Sequence, residues 1–219
     1  MPKNSPTASL RHEREYFALG YHYIFGIDEA GRGPWAGPVS AGAVCLPLER
    51  ADLHKVLAGV RDSKQLTPGA RSRLVSRIQE TALAWGVGSA GHAEIDDLGI
   101  VPAVKLAMRR ALDQALAGAD FSPACLFLDA MLWPEMAHIP QVSLIGGDTR
   151  SLSIAAASIL AKVWRDEYMT KLDAELPQYG FAIHKGYGTK RHQAALEAYG
   201  PSPVHRRTFA PVRKYLPET

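Results

Sequence analysis

The chain has 219 residues, of which 47% are hydrophobic, so it can fill a substantial core in one large domain or in a domain with a small appendage. Its 21% charged residues and formal net charge of +3 are ordinary for a globular protein and favour an anionic partner only weakly. No apolar run approaches the roughly 20 residues of a membrane span, and the first residues lack the apolar core of a secretory signal. The sequence therefore predicts a cytoplasmic protein without membrane association.

The first half of the chain predicts three strands and two helices after a polar leader at residues 1–20. Runs rich in aromatic and β-branched residues, bounded by turn residues, predict strands at residues 21–28, 39–46 and 85–89. A helix is predicted to begin after Thr67, an N-cap residue that is followed by Pro68. An amphipathic helix is predicted over residues 98–116, where apolar residues recur at helical spacing.

The second half predicts two more strands and a long helix. Residues 124–129 form an apolar run that ends in Asp129, as expected of a buried strand that opens on a site. Further elements are a strand at residues 142–145, a long helix at 149–172 with small residues that let it lie close to the sheet, and a short helix at 189–198. This order predicts an α/β fold with helices on the faces of the sheet. We expect a main domain over residues 1–178 and a small helical C-terminal cap over residues 179–219.

Basic residues are concentrated in the last quarter of the chain, whereas acidic residues are spread through its middle. The basic residues of this quarter include Lys185, Lys190, Arg191, Arg206, Arg207, Arg213 and Lys214. Such a concentration suits contact with phosphates, although a solvated charged surface is the simpler interpretation of any one of them.

Four carboxylates stand at predicted strand ends or just before a predicted helix. They are Asp28, Glu29, Asp129 and Asp148. Because carboxylates are hard oxygen ligands, a cluster of them without histidine or cysteine selects Mg²⁺ or Mn²⁺ over Zn²⁺. Two such ions about 3.5 to 4 Å apart serve phosphodiester hydrolysis without a protein nucleophile.

Simpler interpretations exist for three of these carboxylates and are weakest for the fourth. Asp28 and Glu29 are residues that open turns, and as strand neighbours they share a site only if the strand ends or twists there. Asp148 is an N-cap type, although a helix N-terminus would also keep it ionised and able to bind metal. Asp129 is harder to explain without a ligand, because an unpaired carboxylate beside a core is costly.

Several motifs, in the same order along the chain, resemble those of the ribonuclease HII family. They are residues 26–34 (Gly-Ile-Asp-Glu-Ala-Gly-Arg-Gly-Pro), 62–66 (Asp-Ser-Lys-Gln-Leu), 128–129 (Leu-Asp), 147–150 (Gly-Asp-Thr-Arg), 154–162 (Ile-Ala-Ala-Ala-Ser-Ile-Leu-Ala-Lys), 165–166 (Arg-Asp) and 184–189 (His-Lys-Gly-Tyr-Gly-Thr). The resemblance implies a ribonuclease H-like mixed sheet flanked by helices, with a small C-terminal helical cap. It also implies a monomeric endonuclease that uses two-metal-ion catalysis. Its substrates would be RNA–DNA hybrids, whose RNA strand it hydrolyses, and DNA duplexes with embedded ribonucleotides, which it cuts 5′ to the ribonucleotide to leave 3′-hydroxyl and 5′-phosphate ends.

The resemblance also implies roles for individual residues. Asp28, Glu29, Asp129 and Asp148 would be the catalytic carboxylates that bind Mn²⁺ or Mg²⁺; Gly31, Arg32 and Gly33 would read the ribonucleotide; Lys64, Lys162 and Lys185 would contact phosphates; and Tyr187 would pack on the sugar beyond the cut. Backbone amides of a glycine-rich turn suit the reading of a 2′-hydroxyl, because no Cβ keeps the ligand away. The alternatives are a half-buried core role for Tyr187 and an i,i+4 ion pair between Lys162 and Asp166.

Two positions depart from the family pattern. The family usually has lysine where this chain has Gly146 and glycine where it has Ala130. Without that lysine, we expect a positive charge beside Asp148 to be missing. Residues 214–219 lack the aromatic pair that some relatives use to bind a sliding clamp, which predicts no clamp dependence.

Two other functions are compatible with parts of this sequence. The first is another nuclease or strand-transfer enzyme of the ribonuclease H-like fold, and the Gly-Arg-Gly turn with Tyr187 argues against it. The second is a non-catalytic nucleic-acid-binding protein, and the presence of all four carboxylates argues against that.

Overall fold

A five-stranded mixed sheet forms the centre of the computed structural model, which describes residues 8–216. The strands are β1 Ile24–Ala30, β2 Val39–Cys45, β3 Ala84–Ala90, β4 Cys125–Asp129 and β5 Gln141–Leu144, in the order β3-β2-β1-β4-β5. The first three pair antiparallel, whereas β4 runs parallel to β1 and β5 runs parallel to β4. The predicted mixed sheet is confirmed.

Ten α-helices lie within the described residues. They are α1 Arg11–Ala18, α2 Leu53–Val56, α3 Pro68–Thr81, α4 His92–Leu98, α5 Ile100–Leu116, α6 Gly147–Arg150, α7 Leu152–Glu175, α8 Phe181–His184, α9 Lys190–Tyr199 and α10 Ala210–Arg213. Thr67 caps α3 as predicted, since its side chain accepts a hydrogen bond from the N–H of Ala70. The leader predicted at residues 1–20 lies outside the described residues up to residue 7 and contains α1 after that. Within residues 8–216, no helix combines the length and the apolar composition needed to cross a membrane.

β1 begins and ends later than the sequence predicts. Its pairing with β2 continues past Asp28, which lies opposite Gly42, as far as Ala30, which lies opposite Ser40. Asp28 therefore stands inside the strand instead of at its end. Because successive side chains of a strand point to opposite faces of the sheet, the side chains of Asp28 and Glu29 leave the backbone in opposite directions.

Two helices begin at other residues than predicted. The helix predicted from residue 98 starts at Ile100, because Gly99 adopts the left-handed conformation (φ 82°) and ends α4 there. The helix predicted from residue 149 starts at Leu152. Ser151 is extended (φ −116°, ψ 126°), and its side chain accepts a hydrogen bond from the N–H of Ile154, so it separates the short α6 from the long α7.

The long helix α7 packs on one face of the sheet, and α5 packs on the other. Two glycines let α7 approach closely: a Cβ on Gly26 would lie 2.2 Å from the backbone of Ser153, and one on Gly42 would lie 2.3 Å from the carbonyl oxygen of Ala157. The predicted close approach of the small residues of this helix is confirmed. It matters for the site because α7 carries side chains that line the end of β1.

The C-terminal segment is hydrogen-bonded to the loop that follows β1. The N–H of Trp35 donates to the carbonyl of Gly186 at 2.8 Å, and the N–H of Gly37 donates to that of Val204 at 2.9 Å. In return the N–H of Arg206 donates to the carbonyl of Trp35 at 2.8 Å. These bonds place Gly186 and residues 204–206 directly beside the glycine-rich turn.

Candidate active site

Three of the four predicted carboxylates meet at one end of the sheet. Asp28 comes from β1, Asp129 ends β4 and Asp148 lies in α6, and one oxygen from each carboxylate lies within 4.8 Å of the other two. The sheet itself brings the first two together, because β1 and β4 are parallel neighbours. A set of carboxylates this close matches the oxygen ligands that divalent Mg²⁺ and Mn²⁺ prefer.

Glu29 lies beside this cluster and is not one of its three members. Its Oε1 accepts a hydrogen bond from Nη1 of Arg32 at 3.3 Å. The continuation of β1 through Ala30 explains the separation from Asp28, since neighbouring strand residues diverge. Glu29 still acts on the cluster electrostatically, because its charge contributes to raising the pKa of Asp28.

The cluster concentrates negative charge in a buried place. Burial raises the pKa of Asp28 well above its usual range, and the charges of Glu29 and Asp129 add to this, against a lowering effect of a hydrogen bond from Ser158. Burial also raises the pKa of Glu29. Such mutual repulsion in a low-dielectric site is relieved when a cation binds. The electrostatics therefore support a metal site.

Asp148 does not behave as the helix-cap interpretation predicts. The helix that contains it, α6, has only four residues. Burial raises the pKa of Asp148, and the neighbouring carboxylate of Asp62 raises it further, while Lys64 lowers it. Asp148 stands in the first turn of α6, after the N-cap residue Gly146, so the cap interpretation is wrong. Burial and Asp62 outweigh any lowering of its pKa by the helix N-terminus.

Lys64 supplies a positive charge beside Asp148, where the departure from the family pattern at Gly146 predicts that one is missing. Its Nζ lies 3.8 Å from Oδ2 of Asp148, so that expectation is wrong. The lysine side chain is 79% exposed, and an exposed pair at this distance is weak. Lys64 is therefore free to turn towards a phosphate.

Several groups that the sequence analysis did not assign hold the carboxylates in place. The N–H of Gly147 donates to Oδ1 of Asp129 at 2.7 Å, and the hydroxyls of Ser63 and Ser158 hydrogen-bond each other at 3.0 Å beside Asp28. Signals for the serines were present, because Ser63 belongs to the Asp-Ser-Lys motif and Ser158 shares a helical stripe with Lys162. These bonds orient the cluster before any ligand arrives.

Most of the predicted substrate-binding residues line one cleft next to the carboxylates. Its lining includes Glu29, Gly31, Arg32, Gly33, Ser63, Lys64, Ser158, Lys162 and Tyr187. Lys185 lies instead in a neighbouring groove, which shares Lys162 with this cleft. Lys162 donates to Asp166 at 2.7 Å, which confirms the predicted i,i+4 pair. Tyr187 is 45% exposed, so the core interpretation of its side chain is wrong.

A chain of hydrogen bonds through two buried histidines, here called the histidine relay, holds the backbone of Tyr187. The N–H of Ser202 donates to Nδ1 of His205, which assigns the His205 proton to Nε2. That group donates to Nε2 of His192 at 2.9 Å, and Nδ1 of His192 donates to the carbonyl of Tyr187 at 3.0 Å. Burial lowers the pKa of His192 to about 4 and that of His205 to about 3, so both rings are neutral at physiological pH.

Ala130, which follows Asp129, carries backbone strain that glycine would relieve. Its φ of 47° is in the left-handed region, and this explains why a glycine fits here. We expect Ala130→Gly to raise the free energy of unfolding by about 0.5–1 kcal/mol, because the strain relieved exceeds the entropy cost of glycine. Urea denaturation measures this. Ala51→Gly, at an exposed residue without positive φ, is the control and is expected to lower the free energy of unfolding. An equal loss of this free energy in both variants would show that Ala130 is not strained.

Comparison with known proteins agrees with this geometry. The Ribonuclease HII family matches residues 25–212. The chain is 52% identical over 211 residues to Ribonuclease HII of Chloroflexus aurantiacus, covering 96% of each protein, and 52% identical over 207 residues to that of Geobacillus thermodenitrificans, covering 94% of this chain and 76% of the relative. The crystal structure of ribonuclease H2 from Pyrococcus horikoshii superposes with a TM-score of 0.70 at 29% identity, over 88% of this chain and 96% of the other. This chain belongs to the ribonuclease HII family.

Proposed function

We propose that this chain is an endoribonuclease that hydrolyses the RNA strand of RNA–DNA hybrids and cuts 5′ to ribonucleotides embedded in duplex DNA. Membership of the ribonuclease HII family supports this reaction. The observation that carries it is the position of the carboxylate cluster directly beside the turn at residues 31–33, which lines the adjoining cleft. Chemistry and sugar recognition thereby lie within reach of one nucleotide.

The carboxylates fit a pair of divalent metal ions, Mn²⁺ or Mg²⁺. Asp28, Asp129 and Asp148 would hold them, with Glu29 as the fourth ligand at the edge of the site. The fit rests on three oxygens within 4.8 Å of one another and on the raised pKa values of Asp28 and Asp148. When bound, such ions activate a water and stabilise the leaving 3′-oxygen, which gives 3′-hydroxyl and 5′-phosphate ends.

The chain's own groups position the substrate. Among residues 8–216, the backbone N–H groups of Arg32 and Gly33 have no acceptor, so they are available to donate to a 2′-hydroxyl. The exposed ring of Tyr187 lines the same cleft and can pack on the next sugar. Lys64 and Lys162 reach phosphates around the cut, contacts that position a duplex without reading its sequence.

We infer a catalytic domain over residues 1–178 and a cap over residues 179–219 that contacts substrate through Lys185 and Tyr187. We also infer a monomer that acts in the cytoplasm. Cys45 and Cys125 are both buried and unpaired, which supports a reducing compartment such as the cytoplasm.

A panel of three duplexes tests the proposal. The duplexes are DNA with one embedded ribonucleotide, the same sequence as all-DNA, and a long RNA–DNA hybrid, each incubated in Mg²⁺, in Mn²⁺ and with a chelator. We expect cutting of the first and third duplexes with metal only. Absence of cutting in both metals, or equal cutting of the all-DNA duplex, would reject the proposal. Absence of cutting in both metals would favour a non-catalytic nucleic-acid-binding protein.

A further inference from the structure

A buried arginine from the C-terminal segment holds the glycine-rich turn. Arg206 is 0% exposed. Its Nη2 donates to the carbonyl of Gly31 at 2.6 Å, its Nη1 to that of Arg32 at 2.8 Å and its Nε to that of Gly37 at 3.0 Å. We propose that Arg206 is the positioning residue of the ribonucleotide-reading turn, which it fixes with its carbonyls inward and its free amides towards the cleft. This inference rests on the proposed function.

The surroundings of Arg206 make a purely electrostatic role a poor explanation. No carboxylate within residues 8–216 forms a salt bridge with it. A buried charge without a counter-ion is costly unless its donors are satisfied. Burial lowers the pKa of Arg206 to about 9, which still leaves it protonated at neutral pH. The planar fork of donors matches three separate carbonyls, and a lysine has no such geometry.

A second buried arginine encloses the turn from the other side. Arg165 of α7 donates to the carbonyls of Pro38, Ala36 and Lys185. A Cβ on Gly31, whose φ is 95°, would lie only 2.1 Å from Nε of Arg165. The turn is therefore confined between two guanidinium groups. Arg165 limits the position of the Gly31 α-carbon, and Arg206 limits the direction of the turn's carbonyls.

The bonding of the turn separates acceptors from donors. Arg206 occupies the carbonyls of Gly31 and Arg32, whereas the N–H groups of Arg32 and Gly33 have no partner among residues 8–216. Rotating either peptide would break a bond to a buried guanidinium. Loss of Arg206 should thus loosen the amides that meet the 2′-hydroxyl, while the phosphate contacts of Lys64 and Lys162 stay in place.

The test compares Arg206→Lys and Arg206→Met with wild type on the duplex that carries one ribonucleotide. We expect kcat to fall roughly 10- to 100-fold, as for a small misplacement of reacting groups, with KM changed by less than about threefold because phosphate contacts dominate duplex binding. The control variant is Arg77→Met. Arg77 is an exposed arginine of α3 that donates to the carbonyl of Ala58. It is expected to keep wild-type kinetics.

Chemical rescue separates positioning from a general loss of structure. We expect methylguanidinium to restore at least part of the kcat of Arg206→Ala and to leave Arg77→Met unchanged. Melting temperatures identify folded variants; if the Met variant does not fold, the Lys variant and the rescue decide. Wild-type kcat in a folded Lys variant, or a loss confined to KM, would overturn the inference. A wild-type protein that fails to cut any ribonucleotide duplex would instead reject the proposed function.

Discussion

Asp129→Asn is expected to abolish strand cutting and to leave duplex binding nearly intact. The change removes one charge from the carboxylate cluster, and an amide is a poorer ligand for a divalent cation than a carboxylate. Metal ions contribute several kcal/mol to such reactions, so we expect a loss on the order of a thousandfold or more in the single-turnover rate. The asparagine oxygen can still accept the hydrogen bond from Gly147, which keeps the loop in place.

The same variant has a second, opposite effect that separates function from stability. Because the pKa of Asp28 is raised partly by the charge of Asp129, the variant should be more stable than wild type in a chelator. Wild type should gain stability when Mn²⁺ is added, and the variant should gain much less. Cleavage assays, anisotropy with labelled duplex and melting curves measure these effects. Asp113→Asn, at an exposed residue of α5, is the control; retained cutting by Asp129→Asn would show that the metal assignment is wrong.

The free energy of unfolding is expected to fall steeply as the pH drops below about 6.5. His192 and His205 have folded-state pKa values of about 4 and about 3, below the usual value of about 6.5 in an unfolded chain. The unfolded chain therefore binds more protons in this range, so the stability is fully present above pH 6.5 and is lost as the pH falls towards 4. Between pH 6.5 and 5, a span of 1.5 units at about 1.36 kcal/mol each, His192 and His205 each cost about 2 kcal/mol of stability.

Urea denaturation at pH 7, 6 and 5 measures this dependence. The double variant His192→Gln with His205→Gln is expected to flatten it, because a glutamine does not titrate there. His138→Gln, at an exposed residue, is expected to leave the slope unchanged. An unchanged slope in the double variant would contradict the buried neutral relay.

The sequence predicts the frame of the site better than its detail. Asp129 is predictable because a continuous apolar run ends at it, and the parallel neighbour that brings it to Asp28 follows from the α/β order. Strand periodicity predicts that Glu29 diverges from Asp28 unless the strand ends there, but the sequence does not reveal that β1 continues to Ala30, because the glycines that follow favour an earlier turn. The sequence also leaves the start of α7 ambiguous, because Asp148, Thr149 and Ser151 are all residue types that cap helices.

Long-range contacts account for most of what the sequence does not reveal. Lys64 reaches Asp148 although 84 positions separate them, and no local pattern marks that pair. Arg206 belongs to a basic segment whose simplest interpretation is a solvated surface, yet it is buried. Its partners are backbone carbonyls, which every residue type possesses, so no sequence pattern predicts these hydrogen bonds.

Moving a single ribonucleotide along a DNA duplex tests most directly whether the turn and the carboxylates work as one site. The turn at residues 31–33 lies beside the cluster of Asp28, Asp129 and Asp148, so under the proposed function recognition of one 2′-hydroxyl would set which phosphate is cut. The measurement maps the cut in a series of duplexes in which the ribonucleotide advances by one position at a time. We predict that the cut follows the ribonucleotide and always falls on its 5′ side, whereas a cut that stays at one sequence or at a constant distance from the duplex end would contradict the account.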